Sequence, residues 1–203
     1  GLGLNMVVMT RKERGAFSHE QFPEMVWISN LFGKATSSLV LKQELQRAYY
    51  QLEREMRVVG NLQRTLLPAK LPQIPTLDLA AHYEPSQRAG GDYYDFFPLP
   101  NGCWGILLAD VSGHGAAAAV FMAITHRIVH AHPGPVTPAG QVLAYLNQQL
   151  AQRYSRLTDT FVTAFYGIYD PATRVLSYSS AGHNPPRLKQ AQGGKVIALD
   201  TVR

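Results

Sequence analysis

A chain of 203 residues fits one domain, or one domain with part of another, and 46% apolar against 16% charged residues allows a packed core and argues against wholesale disorder. One cysteine, Cys103, excludes an intrachain disulfide, and no apolar run approaches the roughly 20 residues that span a bilayer. The net charge of +5 gathers toward the N-terminal side, with 10 Lys/Arg against 6 Asp/Glu up to residue 75 and 9 against 8 beyond it. Those charges are scattered as on a solvated helix face and lack the aromatic interleaving of a nucleic-acid stripe. Gly1–Thr10 has neither the basic start nor the cleavage site of a signal peptide, so the expected setting is soluble and cytoplasmic, with no membrane and no nucleic acid as partner.

In chain order, residues 1–37 open with an apolar run, Leu4–Thr10, and a polar turn, Arg11–Gly15. Phe22, Met25, Ile28, Leu31 and Phe32 then recur at helical spacing. A lone strand and helix enclose no core, so this zone reads as the end of a domain. Residues 38–67 form a linker helix whose Leu41, Leu45, Tyr49, Leu52, Met56, Val59, Leu62 and Leu66 follow at steps of three and four. This stripe suits a parallel two-helix coiled coil and hence a homodimer; the alternative is one amphipathic helix lying on its own domain. Pro68, Pro72 and Pro75 stop it, and residues 68–203 make the last domain.

Within that domain, Leu77, Leu79, Ala81 and Tyr83 alternate as a strand would. Tyr93–Leu99 and Cys103–Val111 predict a hairpin through Pro100-Asn101-Gly102. Ala116–Ala131 and Pro138–Arg153 predict helices, Thr160–Tyr169 and Arg174–Ser180 a second hairpin, and Pro186–Gln190 and Lys195–Leu199 a third around Gly193-Gly194. Strands, two helices and strands again imply an α+β layered domain with largely antiparallel sheets.

The chemistry sits in two stretches, Gly90-Gly91-Asp92-Tyr93-Tyr94-Asp95 and Asp110-Val111-Ser112-Gly113-His114-Gly115, which flank the first hairpin. Asp92 and Asp110 can therefore lie side by side. Adjacent carboxylates repel unless a proton or a cation intervenes, and hard oxygen ligands suit Mg²⁺ or Mn²⁺ rather than zinc. Asp95 reads either as a carboxylate orienting water around such a centre or as a hydrogen-bonding strand residue. His114 reads as a turn residue or a site neighbour. His126 and His130 stand at i and i+4, but no Glu follows His126, so the H-E-x-x-H zinc pattern fails and a helix surface is the expectation. His183-Asn184-Pro185-Pro186 is expected to be a structural turn, and Asp170 to serve its own turn.

Together with Phe161–Tyr169, Ala181-Gly182-His183-Asn184-Pro185-Pro186 and the earlier Leu66-Leu67-Pro68, these motifs resemble the SpoIIE/RsbU-type branch of the metal-dependent (PPM) serine/threonine protein phosphatases, over roughly residues 60–190. The resemblance implies an α-β-β-α sandwich with a two-metal Mn²⁺ or Mg²⁺ centre, Asp92 and Asp110 as catalytic metal-binding carboxylates, and the Val111 carbonyl as a further metal ligand. It also implies a phosphoserine or phosphothreonine substrate on a regulatory protein, often an anti-sigma-factor antagonist. Val7–Arg11 and Phe17–Leu41 resemble the closing strand and helix of a GAF sensor domain, which would act through the linker helix. Two later aspartate motifs of the family do not occur before Arg203, so the sandwich is expected to be C-terminally incomplete and the chain as given to bind metal weakly and turn over little. A non-catalytic pseudophosphatase or scaffold is the alternative. A diguanylate cyclase is disfavoured, because Tyr93-Tyr94 replaces the Glu-Phe of its signature and that signature has no Asp-Val-Ser-Gly-His-Gly partner.

Overall fold

The computed structural model describes residues 8–10, 12–13, 18–85, 88–132, 138–154 and 160–199. The chain divides into two compact units, Gly1–Arg54 and Glu55–Arg203. In the first, a 3-10 turn at His19–Gln21 leads into α1, Phe22–Arg64, a 43-residue helix that continues into the second unit. This helix runs without interruption through residues 37 and 38, and the Thr36 hydroxyl donates to the Phe32 carbonyl within it. Leu41, Leu45, Tyr49 and Leu52 are each at least 58% exposed, so the apolar stripe is present but uncovered. Most of the expected Leu4–Thr10 strand and the turn after it lie outside the described residues.

In the second unit the last turns of α1 are fastened to the segment that enters the sheet. The Gln63 side chain is buried and pairs with both polar groups of Gly90, its Nε2 donating to the carbonyl at 2.5 Å and its Oε1 accepting from the amide at 3.1 Å. Gly60, one turn earlier, has no room for a Cβ, which would collide with the Arg88 backbone carbonyl.

Four strands follow in one antiparallel sheet, ordered β1 (Tyr93–Pro98), β2 (Trp104–Val111), β3 (Val162–Asp170) and β4 (Val175–Ala181). Asn101 and Gly102 both take positive φ, 60° and 74°, which is why this dipeptide closes the β1–β2 hairpin. Two helices, α2 (Ala116–His130) and α3 (Ala139–Arg153), connect β2 to β3 and cover one face of the sheet. Tyr93, Leu107, Ala109, Val111, Met122, Val142, Leu146 and Tyr166 form the core between sheet and helices, and Leu107 and Met122 are fully buried. A separate two-stranded sheet pairs β5 (Arg187–Lys189) with β6 (Val196–Ala198).

The architecture is α+β, with element boundaries within two residues of the sequence expectation from β1 onward. The described residues supply one helical layer and one four-stranded sheet of the expected sandwich. The strand expected at Leu77–Tyr83 is not formed. Leu77 and Leu79 are half-buried and Asp78 and Ala80 exposed, as the alternation requires, but a single bridge, Ile74 to Leu77, is the only ladder contact there among the described residues. Thr76 instead anchors this segment through its hydroxyl to Tyr169 Oη at 2.9 Å.

Replacing Gln63 by Leu strands the Gly90 amide and carbonyl in a buried place, a loss of about 1–3 kcal/mol. The thermal midpoint should fall by roughly 2–4 °C for each kcal/mol. A Gln63→Leu melt that superimposes on the parent's would contradict this account of how α1 is held.

Candidate metal centre

Strand register decides which side chains meet. The β1–β2 ladder begins at Tyr93 opposite Ala109, so the next positions outward are Asp92 and Asp110, and Asp110 in turn pairs with Thr163 of β3. Tyr93, Leu107, Ala109 and Val111 point into the helix-covered core, which sends Asp92 and Asp110 to the opposite, exposed face. There the Asp92 carboxyl lies within hydrogen-bonding reach of Asp110. Burial raises the Asp92 pKa above the ordinary carboxylate range, the Asp110 charge and hydrogen bond raise it further, and His183 opposes them.

The backbone around the pair is equally constrained. A Cβ on Gly91 would stand 2.6 Å from the Val111 carbonyl oxygen, so glycine is what lets this carbonyl approach the chain before Asp92. The Val111 side chain is buried in the core, leaving only its backbone for the site. After Val111 the chain leaves β2 through Gly113 and Gly115, with φ of 90° and 78°, to start α2. Ser112 ties this loop to Phe161, accepting from its amide through Oγ at 2.9 Å and donating its own amide to its carbonyl at 2.9 Å. His114 is exposed on the loop.

Three neighbours were not singled out from the sequence as site residues. Thr163 Oγ1 donates to the Asp110 carbonyl at 3.4 Å and sits 3.0 Å from His183 Nδ1, so the segment expected to be a structural turn delivers an imidazole to the carboxylate pair. Gly182, with φ of 68°, and the Ser180 hydroxyl bonded to the His183 carbonyl set that turn. The third is Tyr83, whose buried hydroxyl has no hydrogen-bond partner among the described residues; burial and Asp92 raise its pKa while Arg64 lowers it. The order Ala-Gly-His-Asn-Pro-Pro was the available signal for His183. Nothing in the sequence alone distinguished Tyr83. Two crowded carboxylates, a carbonyl held over a glycine and an orphaned hydroxyl make an all-oxygen donor set, which fits a hard dication such as Mn²⁺ or Mg²⁺.

Asp95 behaves as the hydrogen-bonding alternative. It points to the helix side, where Oδ2 accepts from Tyr93 Oη at 2.6 Å and meets His130 Nε2 at 2.8 Å, and Oδ1 accepts from the Phe96 amide at 2.7 Å. On α2, His126 is half-buried and His130 is exposed as expected of a helix surface, but their ring centroids lie 4.2 Å apart, tilted by 36°, and both stand beside Asp95. Burial lowers the His126 pKa, His130 lowers it further, and Asp95 opposes them. Asp170 holds its own turn, accepting from the Ala172 amide at 2.9 Å and the Thr173 hydroxyl at 2.8 Å. The other two late aspartates, Asp159 and Asp200, neither of which sits in a context matching the family's later motifs, lie outside the described residues.

A raised folded pKa means that the folded chain holds the Asp92 proton more tightly than the unfolded chain does. The stability this contributes is complete below the ordinary carboxylate range and is lost as pH rises through the raised value. Asp92→Asn remains neutral throughout. In chelator, its thermal midpoint should therefore exceed the parent's at neutral pH and the difference should shrink in acid. Melts that differ by the same amount at every pH would contradict the carboxylate pairing.

The family model for stage II sporulation protein E (SpoIIE) matches residues 100–202, half of the chain. The phosphoserine phosphatase RsbU of Bacillus subtilis (strain 168) is 33% identical over 143 residues, which cover 70% of this chain and 42% of that protein. Protein IcfG of Synechocystis sp. (strain ATCC 27184 / PCC 6803 / Kazusa) is 25% identical over 82% of this chain and 30% of its own length. The chain thus spans less than half the length of these curated relatives. Among solved structures, the SiaA-PP2C domain of Pseudomonas aeruginosa matches with a TM-score of 0.62 at 22% identity, over 77% of this chain and 63% of that one, a likeness of fold. The family match begins in the β1–β2 turn and takes in the Asp110–Gly115 and Ala181–Pro186 motifs, and on that ground the chain belongs to the SpoIIE/RsbU-type branch of the PPM phosphatases.

Proposed function

We propose that this chain carries the metal-binding front of a protein serine/threonine phosphatase that hydrolyses a phosphorylated regulatory protein in the cytoplasm, in the manner of sigma-factor control. The observation that carries the reading is the convergence of Asp92 and Asp110 on the open sheet face, where an extra proton or a cation is needed to relieve them. The phosphoserine phosphatase activity in the name of the relative RsbU supports the same reaction class. In this reading Asp92, Asp110 and the Val111 carbonyl hold Mn²⁺ or Mg²⁺. When bound, the ions supply Lewis acidity, drawing charge from phosphoryl oxygens and acidifying water.

The protein's own part is preparation. Asp92 and Asp110 must both be ionised to serve as ligands, so a proton on Asp92 competes with the metal, and activity should fall in acid at a pH that moves lower as the metal concentration rises. Gly91 holds the Val111 carbonyl in place, and Ser112 fixes the loop that follows it. Thr163 positions the His183 imidazole beside the pair. With a phosphoserine peptide and Mn²⁺, the natural-length protein should release phosphate, and Asp110→Asn should lower the rate by at least about 100-fold, since even indirect ligand partners cost 10–100-fold. Turnover that survives both Asp110→Asn and chelation would overturn the reading.

Upstream, we take residues 1–37 as the end of a GAF-like sensor, 38–67 as the linker and 68–203 as phosphatase, with the linker pairing two copies in parallel. Its support is the exposed stripe of Leu41, Leu45, Tyr49 and Leu52. Light scattering should give a dimer mass, and Leu45→Asp should weaken association at least about tenfold, equivalent to 1.4 kcal/mol. A monomer at all concentrations would remove the relay.

A further inference from the structure

The geometry points to a second metal site, on the helix side of the sheet, in which Asp95, His126 and His130 bind a zinc-class dication and clip β1 to the last turns of α2. It is independent of the phosphatase reading, because the three residues lie on the sheet face opposite to Asp92 and Asp110. One ligand atom from each lies within 4.8 Å of the others, the only such group of His, Cys, Asp and Glu among the described residues.

The three come from rigid elements. Asp95 belongs to a paired strand, opposite Leu107, and its side chain is 11% exposed. Its two oxygens are already oriented, one by the Tyr93 hydroxyl and the other by the Phe96 amide, the arrangement by which metal-ligating carboxylates are aimed. His126 and His130 sit one helical turn apart on α2, so their rings leave the same face. Tyr93 packs edge-on against His126 at 5.6 Å, and Phe97 packs against His130 at 5.2 Å, which restrains both rings.

Two imidazoles and one carboxylate select Zn²⁺, Co²⁺ or Ni²⁺ over Mg²⁺ and Mn²⁺, which prefer oxygen. Binding at His130 Nε2 replaces its 2.8 Å contact with Asp95 and leaves the ring hydrogen on Nδ1. Three protein ligands leave a fourth position for water, and the His130 side chain, 43% exposed, opens that position to solvent. Tyr93 then acts as a positioning residue through its hydrogen bond to Asp95.

The test is Zn²⁺ titration of the metal-free protein against a chromophoric chelator, with Co²⁺ as the spectroscopic probe. One equivalent should bind, with visible Co²⁺ absorption of a nitrogen-and-oxygen tetrahedral site. His126→Asn and His130→Gln should each weaken binding at least about tenfold, and Tyr93→Phe should weaken it less. Asp110→Asn should leave it intact, whereas loss of binding in that variant would assign the ion to the other face and overturn the proposal. Imidazole ¹⁵N shifts of the unsubstituted protein guard against variants that misfold: Zn²⁺ should move the signals of two of its seven histidines. Shifts in none, or shifts that persist in the double His126→Asn/His130→Gln variant, would also overturn it.

Discussion

The register of β1 on β2 is the constraint on which the rest of this structure depends. Side chains alternate faces along a strand, so a slip of one residue would carry every member of the pair to the other side of the sheet. With Tyr93 opposite Ala109, the apolar members close against α2 and α3 and the flanking carboxylates emerge together on the open face. The short turn through Asn101 and Gly102, both at positive φ, permits this pairing without strain. Burying Leu107 and Val111 in the helix-covered core then makes a one-residue slip costly, because it would exchange them for Leu108 and Asp110. Apolar packing on one face thereby maintains an electrostatically unfavourable contact on the other.

That arrangement gives the two faces of one hairpin different chemistries. On the open face the donors are oxygens, and the crowding of Asp92 against Asp110 is relieved by protonation or by a hard cation. On the covered face Asp95 is satisfied by Tyr93, the Phe96 amide and His130, so the same strand holds a carboxylate that is hydrogen-bonded rather than repelled. Asp95 stands three positions after Asp92, an odd step along an extended chain, and this alone places them on opposite sides.

The approach to the open face is set by α1. Gln63 pairs with both backbone groups of Gly90, two residues before Asp92, and Gly60 lets the Arg88 carbonyl pack against the helix. A displacement of the last turn of α1 would therefore be felt at the peptide leading directly into the carboxylate pair. On the opposite edge of the pair, Thr163 and the turn at Gly182 bring in His183, so β3 and the segment after β4 complete a site that β1 and β2 begin.

The sequence by itself determined what depends on neighbours along the chain: the hairpin turn, the spans of α2 and α3, the α+β class, the family, and the pairing of Asp92 with Asp110, which follows from the length of one hairpin. Leu77–Tyr83 shows the limit of periodicity, since alternation records which residues are covered and not whether another strand is there to bond. Only the tertiary structure decided what depends on contacts remote in sequence. His126 and His130 lie more than thirty positions from Asp95 and were legible only as a helix repeat until α2 packed across β1. Gln63, on a helix otherwise read for its apolar stripe, and His183, within a proline-rich turn, acquired their roles in the same way. Polar partners of this kind are chosen by the direction and reach of single side chains in the folded chain, which residue type and spacing do not encode.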